Sequence, residues 1–233
     1  MVQKKWVVSL GGSRIAPKSE DVDASFIKRF EKLVEKFPRE KFVVVTGGGS
    51  TARKYISALR KLDANSKKQS QAGIDVTRYH ASFLARIFGK RANSPDANEI
   101  PKTMKKVSNL LKKNQVVFCG ALRWEANKTS DGTSADLASY LNCPFINITN
   151  IDGLYTSNPK TNKSSKFIKK ITWEKFYEIT RKIKFRAGQH FVLDQDAAKT
   201  ILKKKIPTYI VGRLSEVEKI LNGKNFKGTL ICG

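Results

Sequence analysis

Twice in its first fifty residues the chain runs from a short, almost wholly apolar stretch straight into glycines: "WVVSLGG" at 6–12 and "FVVVTGGG" at 42–49. Runs this short, rich in β-branched residues and without polar alternation, are strands buried on both faces. Such strands need a helix layer on each side, and the intervening sequence supplies helices. Phe26, Ile27, Phe30, Leu33, Val34 and Phe37 recur at helical spacing before Pro38, and "STARKYISALRKL" and the Val76–Ile87 stretch follow the same period. Further along, "QVVFCG", "PFINIT", "PTYIVG" and "GTLICG" read as strands. Residues 104–111, "TSADLASYL", "TWEKFYEIT", "LDQDAAKTILKKK" and "LSEVEKILNG" read as helices between them. The alternation predicts an α/β fold, a three-layer αβα sandwich around a mostly parallel central sheet. With no composition break or repeat, residues 1–233 are expected to be one domain.

Hydrophobic residues make up 40% of the 233 positions, enough for a packed core and too many for a disordered chain. The apolar runs are too short to span a bilayer, and the N-terminus lacks the apolar stretch of a signal peptide. Three cysteines with no CxxC spacing and two histidines argue against a zinc site or a disulfide framework. Reduced thiols in a cytoplasmic protein are expected. Lysine and arginine number 45 against 20 acidic residues, a net charge of +25. The cations are spread over the polar sides of many segments and not gathered in a tail. A generally basic surface is therefore preferred to a nucleic-acid role, and the same field suits an anionic substrate.

In parallel sheets ligands bind beyond the carboxyl ends of the strands. Four such ends carry groups suited to phosphate: Gly11–Arg14, Gly47–Ser50, "ALRWEANKTSDG" and "NIDGLYTSNPK". The Gly47–Ser50 stretch is neither a Walker A loop nor GxGxxG. Its bare backbone N–H groups can nevertheless approach an anion at a helix start. Arg53, one turn into that helix, opposes the helix dipole unless an anion is bound there. Asp131 or Thr133 can serve as N-cap of a helix from Ser134, and Tyr155 can stack on a base or cover the core edge.

Taken together, "SLGGS", "VTGGGSTARKYI", "TSDGTSADLASYL", "ITNIDGLYTSNPK" and "AGQHFVLDQDAAKTI…GTLI" resemble, in order and spacing, the archaeal-type uridylate (UMP) kinases of the amino-acid-kinase superfamily. The resemblance runs from Trp6 to Leu230. It implies transfer of the γ-phosphoryl group of Mg²⁺-bound ATP to UMP in pyrimidine nucleotide biosynthesis, and a homo-oligomer, often a hexamer, with no membrane partner. Gly12, Ser13, Gly49 and Arg53 look like ATP ligands; Thr149, Asn150, Tyr155 and Asn158 look like the adenine-nucleotide pocket. Asp152 and Lys160 look to be near the phosphates and, with Arg53, to carry the chemistry. Gly48, Ser70, Arg123, Thr129, Ser130 and Asp131 look like the acceptor side. No metal-ligating residue is implied.

The chain departs from that pattern at Ser9, where many relatives carry lysine, and at Ser70, where the family has an acceptor-binding aspartate. "ALRWEANKTSD" replaces a Pro-Gly-containing loop, and Asn158 replaces an aspartate. Lys160, Arg14 and Arg53 are the candidates to replace the missing lysine. An ATP-dependent kinase of another small phosphate or carboxylate, or a non-catalytic nucleotide-binding protein, are the alternatives. Valine at Gly48 is expected to block phosphate approach and leave the fold intact.

Overall fold

The structure, a computed structural model, describes residues 3–17, 21–96, 98–125, 128–157, 162–182 and 193–233. Its elements run β1 (Lys5–Leu10), α1 (Gly12–Ile15), α2 (Ala24–Glu35), β2 (Lys41–Thr46), α3 (Gly49–Lys61), α4 (Ser66–Phe88), α5 (Met104–Lys113) and β3 (Val116–Cys119). They continue α6 (Ser130–Leu141), β4 (Phe145–Ile148), β5 (Leu154–Tyr155), β6 (Phe167–Ile168), β7 (Lys170–Ile171), α7 (Trp173–Arg181), α8 (Gln195–Lys204), β8 (Thr208–Val211), α9 (Leu214–Leu221) and β9 (Thr229–Ile231).

Seven strands form one sheet in the order β3-β2-β1-β4-β8-β9-β7, and β5 and β6 form a separate antiparallel pair. From β3 to β8 every pairing is parallel; β9 runs antiparallel to β8. Leu10 is level with Thr46 and with Ile148, Ile148 with Val211, and Val45 with Cys119. The carboxyl ends therefore form one edge, from which the loops of interest leave.

Alternation along the strands divides the core in two. Trp6, Val8, Leu10, Phe42 and Val44 pack with α2, α4 and α9 on one face. Val7, Val43, Val45, Val117 and Cys119 pack with α5, α6 and α8 on the other. Ser9 falls on the second face and is fully buried.

The expected strands and helices are present, with differences that include the following. Helix α4 begins at Ser66, capped by Asn65, whose side chain accepts from the Lys68 N–H. Its apolar period is confined to the half that touches the sheet, where Thr77, His80, Ala81, Leu84, Ala85 and Phe88 are buried. Helix α6 begins at Ser130, not Ser134, and its N-cap is Thr129, whose hydroxyl accepts from the Asp131 N–H. The turn-rich stretch after β4 contains β5, which pairs across a long loop with β6.

Helix α4 is pinned to the strand ends. The Thr46 hydroxyl donates to the Thr77 carbonyl at 2.6 Å, and the Ala121 N–H donates to the Thr77 hydroxyl at 3.0 Å. A Cβ on Gly120 would lie 2.4 Å from the Thr77 Oγ1 and 2.6 Å from the Arg78 backbone nitrogen. Gly120→Ala must push α4 away from β3 and should cost about 1–3 kcal/mol, read as a lower denaturant midpoint with unchanged m-value.

Candidate active site

Strands β1 and β2 are neighbours, level at their ends, and each turns directly into a helix. Their backbones meet. A Cβ on Gly12 would lie 2.2 Å from the Gly49 nitrogen and 2.6 Å from the Gly47 oxygen, and one on Gly49 would lie 2.5 Å from the Gly12 carbonyl carbon. Gly49 also has φ +60°, a conformation other residues take at a cost. The glycines are thus required first by each other. Their contact sets the first turns of α1 and α3 side by side. Neither helix has a side-chain cap or an acidic residue in its first turn, so their orphan N–H groups remain available to an anion.

Gly48 needs a correction. A Cβ there would come within 2.4 Å of the Ala52 Cβ, inside α3's own first turn. Valine at 48 therefore disturbs the start of α3 as well as any ligand path, and an intact fold is not its expected outcome.

The loop is braced from behind by His80. Its Nδ1 lies 2.8 Å from the Gly47 carbonyl oxygen; because the carbonyl only accepts, Nδ1 carries the proton. Burial lowers the His80 pKa, against the opposing effect of that hydrogen bond, so the ring stays neutral. Nothing in the sequence around His80 distinguishes it from an ordinary core histidine.

Arg53 stands one turn into α3, half-buried, its pKa lowered by loss of hydration. Among the described residues its guanidinium makes no ion pair or hydrogen bond. Arg14, by contrast, lays its guanidinium over the Phe26 ring, 4.6 Å from the centroid, and is turned into the α2 packing. Ser13 sits beside Gly12 in α1.

On one flank the loop after β3 returns to the start of α6. The Ser9 hydroxyl donates to the Asp131 Oδ1 at 2.9 Å, and the Thr129 N–H and hydroxyl both donate to Asp194, which caps α8. Burial pushes the Asp131 carboxyl well above the usual carboxylate range, and the nearby Asp194 carboxylate adds to the rise against the Ser9 hydrogen bond. Lys128 reaches Glu125 and Asp136 at 2.6 Å each and Asp196 at 3.5 Å. Burial pulls the Lys128 pKa down, but its hydrogen bonds to Asp136 and Glu125 outweigh that and raise it. Arg123 is exposed and paired with Glu125 at 2.6 Å, so its guanidinium is engaged within its own loop. Ser70 lies half-buried on α4, and Ser130 opens α6.

On the other flank, Gly11 donates to the Ile148 carbonyl at 3.2 Å and Thr149 donates to that of Val211 at 2.9 Å. Asn150 is exposed, within 3.4 Å of the Thr149 hydroxyl. Tyr155 meets Phe167 edge-on, centroids 5.2 Å apart. Asp152 is held by Lys227 at 2.6 Å and approached by Arg213 at 3.7 Å. The Lys227 hydrogen bond lowers its pKa against the effect of burial. Asn158, Lys160 and His190 lie outside the described residues. Among the described residues no group of three or more His, Cys, Asp or Glu is arranged to hold a metal, and no helix is long and apolar enough to cross a membrane.

Residues 4–212 match the amino acid kinase family. The chain belongs to that family. It is 32% identical over 229 residues to the uridylate kinase of Thermococcus kodakarensis, covering 97% of this chain and 98% of that protein. It is 34% identical over 231 residues to the uridylate kinase of Archaeoglobus fulgidus, covering 98% and 100%. The crystal structure of uridylate kinase from Archaeoglobus fulgidus superposes with a TM-score of 0.82 over 98% of this chain and 100% of that one, at 32% identity. The UMP kinase structure from Ureaplasma parvum, at 19% identity and a TM-score of 0.79, shares the amino-acid-kinase fold over 100% of both chains.

The raised Asp131 pKa has a measurable consequence. The folded chain holds that proton more tightly than the unfolded chain, so stability falls as pH rises above the ordinary value of 3.8 toward the folded one. Asp131→Asn keeps an acceptor for Ser9 and removes the repulsion with Asp194. Its thermal midpoint should exceed that of the parent by more at pH 8 than at pH 5, by about 2–4 °C for each kcal/mol of relief. An equal difference at both pH values would mean that Asp131 ionises freely in the fold.

Proposed function

We propose that residues 1–233 act as one amino-acid-kinase domain that catalyses ATP + UMP → ADP + UDP, a step of pyrimidine nucleotide biosynthesis, in the cytoplasm and as a homo-oligomer, a hexamer by analogy with the family. The observation that carries this reading is the backbone contact of Gly12 with Gly49, which sets two uncapped helix starts at the carboxyl edge of the sheet. The near full-length likeness to archaeal uridylate kinases supports it.

In this reading a phosphate oxygen of UMP attacks the γ-phosphorus in line, and the bond from that phosphorus to the β-phosphate oxygen breaks. Such a transfer asks for alignment and charge stabilisation more than for covalent chemistry. Gly12, Ser13 and Gly49 donate backbone N–H groups to the ATP phosphates. Arg53 is the cation of choice, because Arg14 is committed to Phe26. Mg²⁺ enters with ATP as part of the substrate. Thr149, Asn150, Tyr155 and Asn158 receive the adenine nucleotide, with Lys160 near its phosphates. Asp152, paired with Lys227, serves best as the anchor that keeps that cation facing the donor side. Gly48, Ser70 and Thr129–Asp131 receive UMP, and Arg123 contributes by holding the loop.

The test is ADP formation from Mg-ATP with UMP, CMP, AMP, GMP or isopentenyl phosphate as acceptor. Turnover that depends on UMP is expected, and ADP formation only with another acceptor overturns the assignment to UMP. Arg53→Ala should lower kcat/KM by about 10²–10³-fold, the scale of removing one preorganised donor to a developing charge, while the thermal midpoint changes little. Unaltered kcat/KM would identify Arg53 as a surface cation.

A further inference from the structure

The half of α4 that projects beyond the sheet has no apolar face, yet one stripe of it meets the site at several points. Lys67, Ser70, Ile74 and Thr77 recur at spacings of three and four and so share a side of the helix. At the inner end of the stripe lies Thr77, hydrogen-bonded to the ends of β2 and β3. One turn outward the Gly73 carbonyl oxygen stands 3.5 Å from where a Gly48 Cβ would be. At the outer end the Lys67 ammonium lies over the Trp124 ring, 5.4 Å from its centroid. From Lys67 to Gly73 is about 9 Å of helix, comparable to the reach of a nucleotide from base to phosphate. Ser70 stands between the two.

Trp124 is the indole whose place the packing does not explain. Trp6 is buried with its N–H on Glu40, and Trp173 donates to the Ile206 carbonyl. Trp124 is 39% exposed, and its N–H has no partner among the described residues. Its loop is nonetheless held on both sides: Arg78 donates to the Leu122 carbonyl at 2.8 Å, and Glu125 is fixed between Arg123 and Lys128. A half-exposed ring on a tethered segment, with a cation against it and helix α4 running from that cation to the Gly48 backbone, has the features of a stacking platform.

We propose that Trp124 is the ring on which the base of the acceptor nucleotide stacks, and that Lys67, against the indole, fixes it in place. This rests on the reading of the site as a nucleoside monophosphate kinase. Stacking needs only a flat π-face, so Trp124 contributes affinity common to different bases, and the choice among bases is made by other groups.

The experiment uses the full chain without ATP, titrated with UMP while tryptophan emission is followed, alongside steady-state kinetics. UMP should quench the parent protein saturably, and Trp124→Phe should lose that quench while still turning over. Trp124→Ala should raise KM for UMP about tenfold, and KM for CMP by the same factor where CMP is accepted. Its kcat and KM for ATP should stay unchanged. Inhibition by ribose 5-phosphate, which has no base, should not change either. An unaltered KM for UMP, an equal weakening of ribose 5-phosphate inhibition, or a changed subunit number in Trp124→Ala overturns the proposal. If another nucleotide and not UMP is phosphorylated, the assignment to UMP fails, and the same titration with that nucleotide decides Trp124. Absence of quench by any nucleotide overturns it.

Discussion

Everything at the carboxyl edge depends on the contact between the Gly12 backbone and that of Gly47–Gly49. Neighbouring strands lie about 4.8 Å apart, and β1 and β2 end at the same level. Two chains leaving such ends into helices have no room for side chains between them. Glycine at both ends allows contact, and the reward is a pair of helix starts whose donors converge. The surroundings keep that arrangement rigid: His80 braces the Gly47 carbonyl, Thr46 ties β2 to α4, and Gly120 lets α4 lie against β3. An ordered backbone of this kind needs no reorganisation when charge develops, which is what phosphoryl transfer requires.

The alternation of β1 has a second consequence. Its odd-numbered side chains face α6, and Ser9 is the buried polar group among them. It meets Asp131, the carboxylate in the first turn of α6. Asp194 has three donors, two from Thr129 and one from Ala197, whereas Asp131 has the Ser9 hydroxyl. Burial, and then the proximity of Asp194, therefore drive Asp131 toward its neutral form. The start of α6 is thereby fastened to α8 and to β1 with one of the two carboxyls held toward its neutral form.

The buried strands and the glycines that end them were readable in the sequence because both follow from local rules, periodicity and backbone freedom. The outer half of α4 was not. Periodicity records only the face that packs on a sheet, and residues 66–73 extend past it. The antiparallel direction of β9 and the two-residue strands β5, β6 and β7 left no pattern long enough to register. That the glycine loops leave one edge of the sheet was legible, but what each residue there touches was not. Asp152 is held by Lys227, which lies far along the chain, and Thr129 caps α6 where Asp131 or Thr133 looked equally suitable. His80 carried no signal, since a lone histidine on a helix looks the same whether it fills space or braces a loop.

The large positive charge has a narrower bearing on the chemistry than its size suggests. Exposed lysines are solvated and screened within about 10 Å at ordinary ionic strength, so most of the 45 basic residues act only as a diffuse field that draws anions in. What distinguishes Arg53 is its surroundings. It is partly dehydrated, it has no carboxylate partner among the described residues, and it stands one turn into a helix whose start has no side-chain cap. Arg123, Lys128 and Lys227 are each neutralised by acids. In the reaction proposed above, with serine in place of a cation on β1, the charge that would stabilise a transferring phosphoryl group is that of Arg53 on α3, next to the glycines at its start.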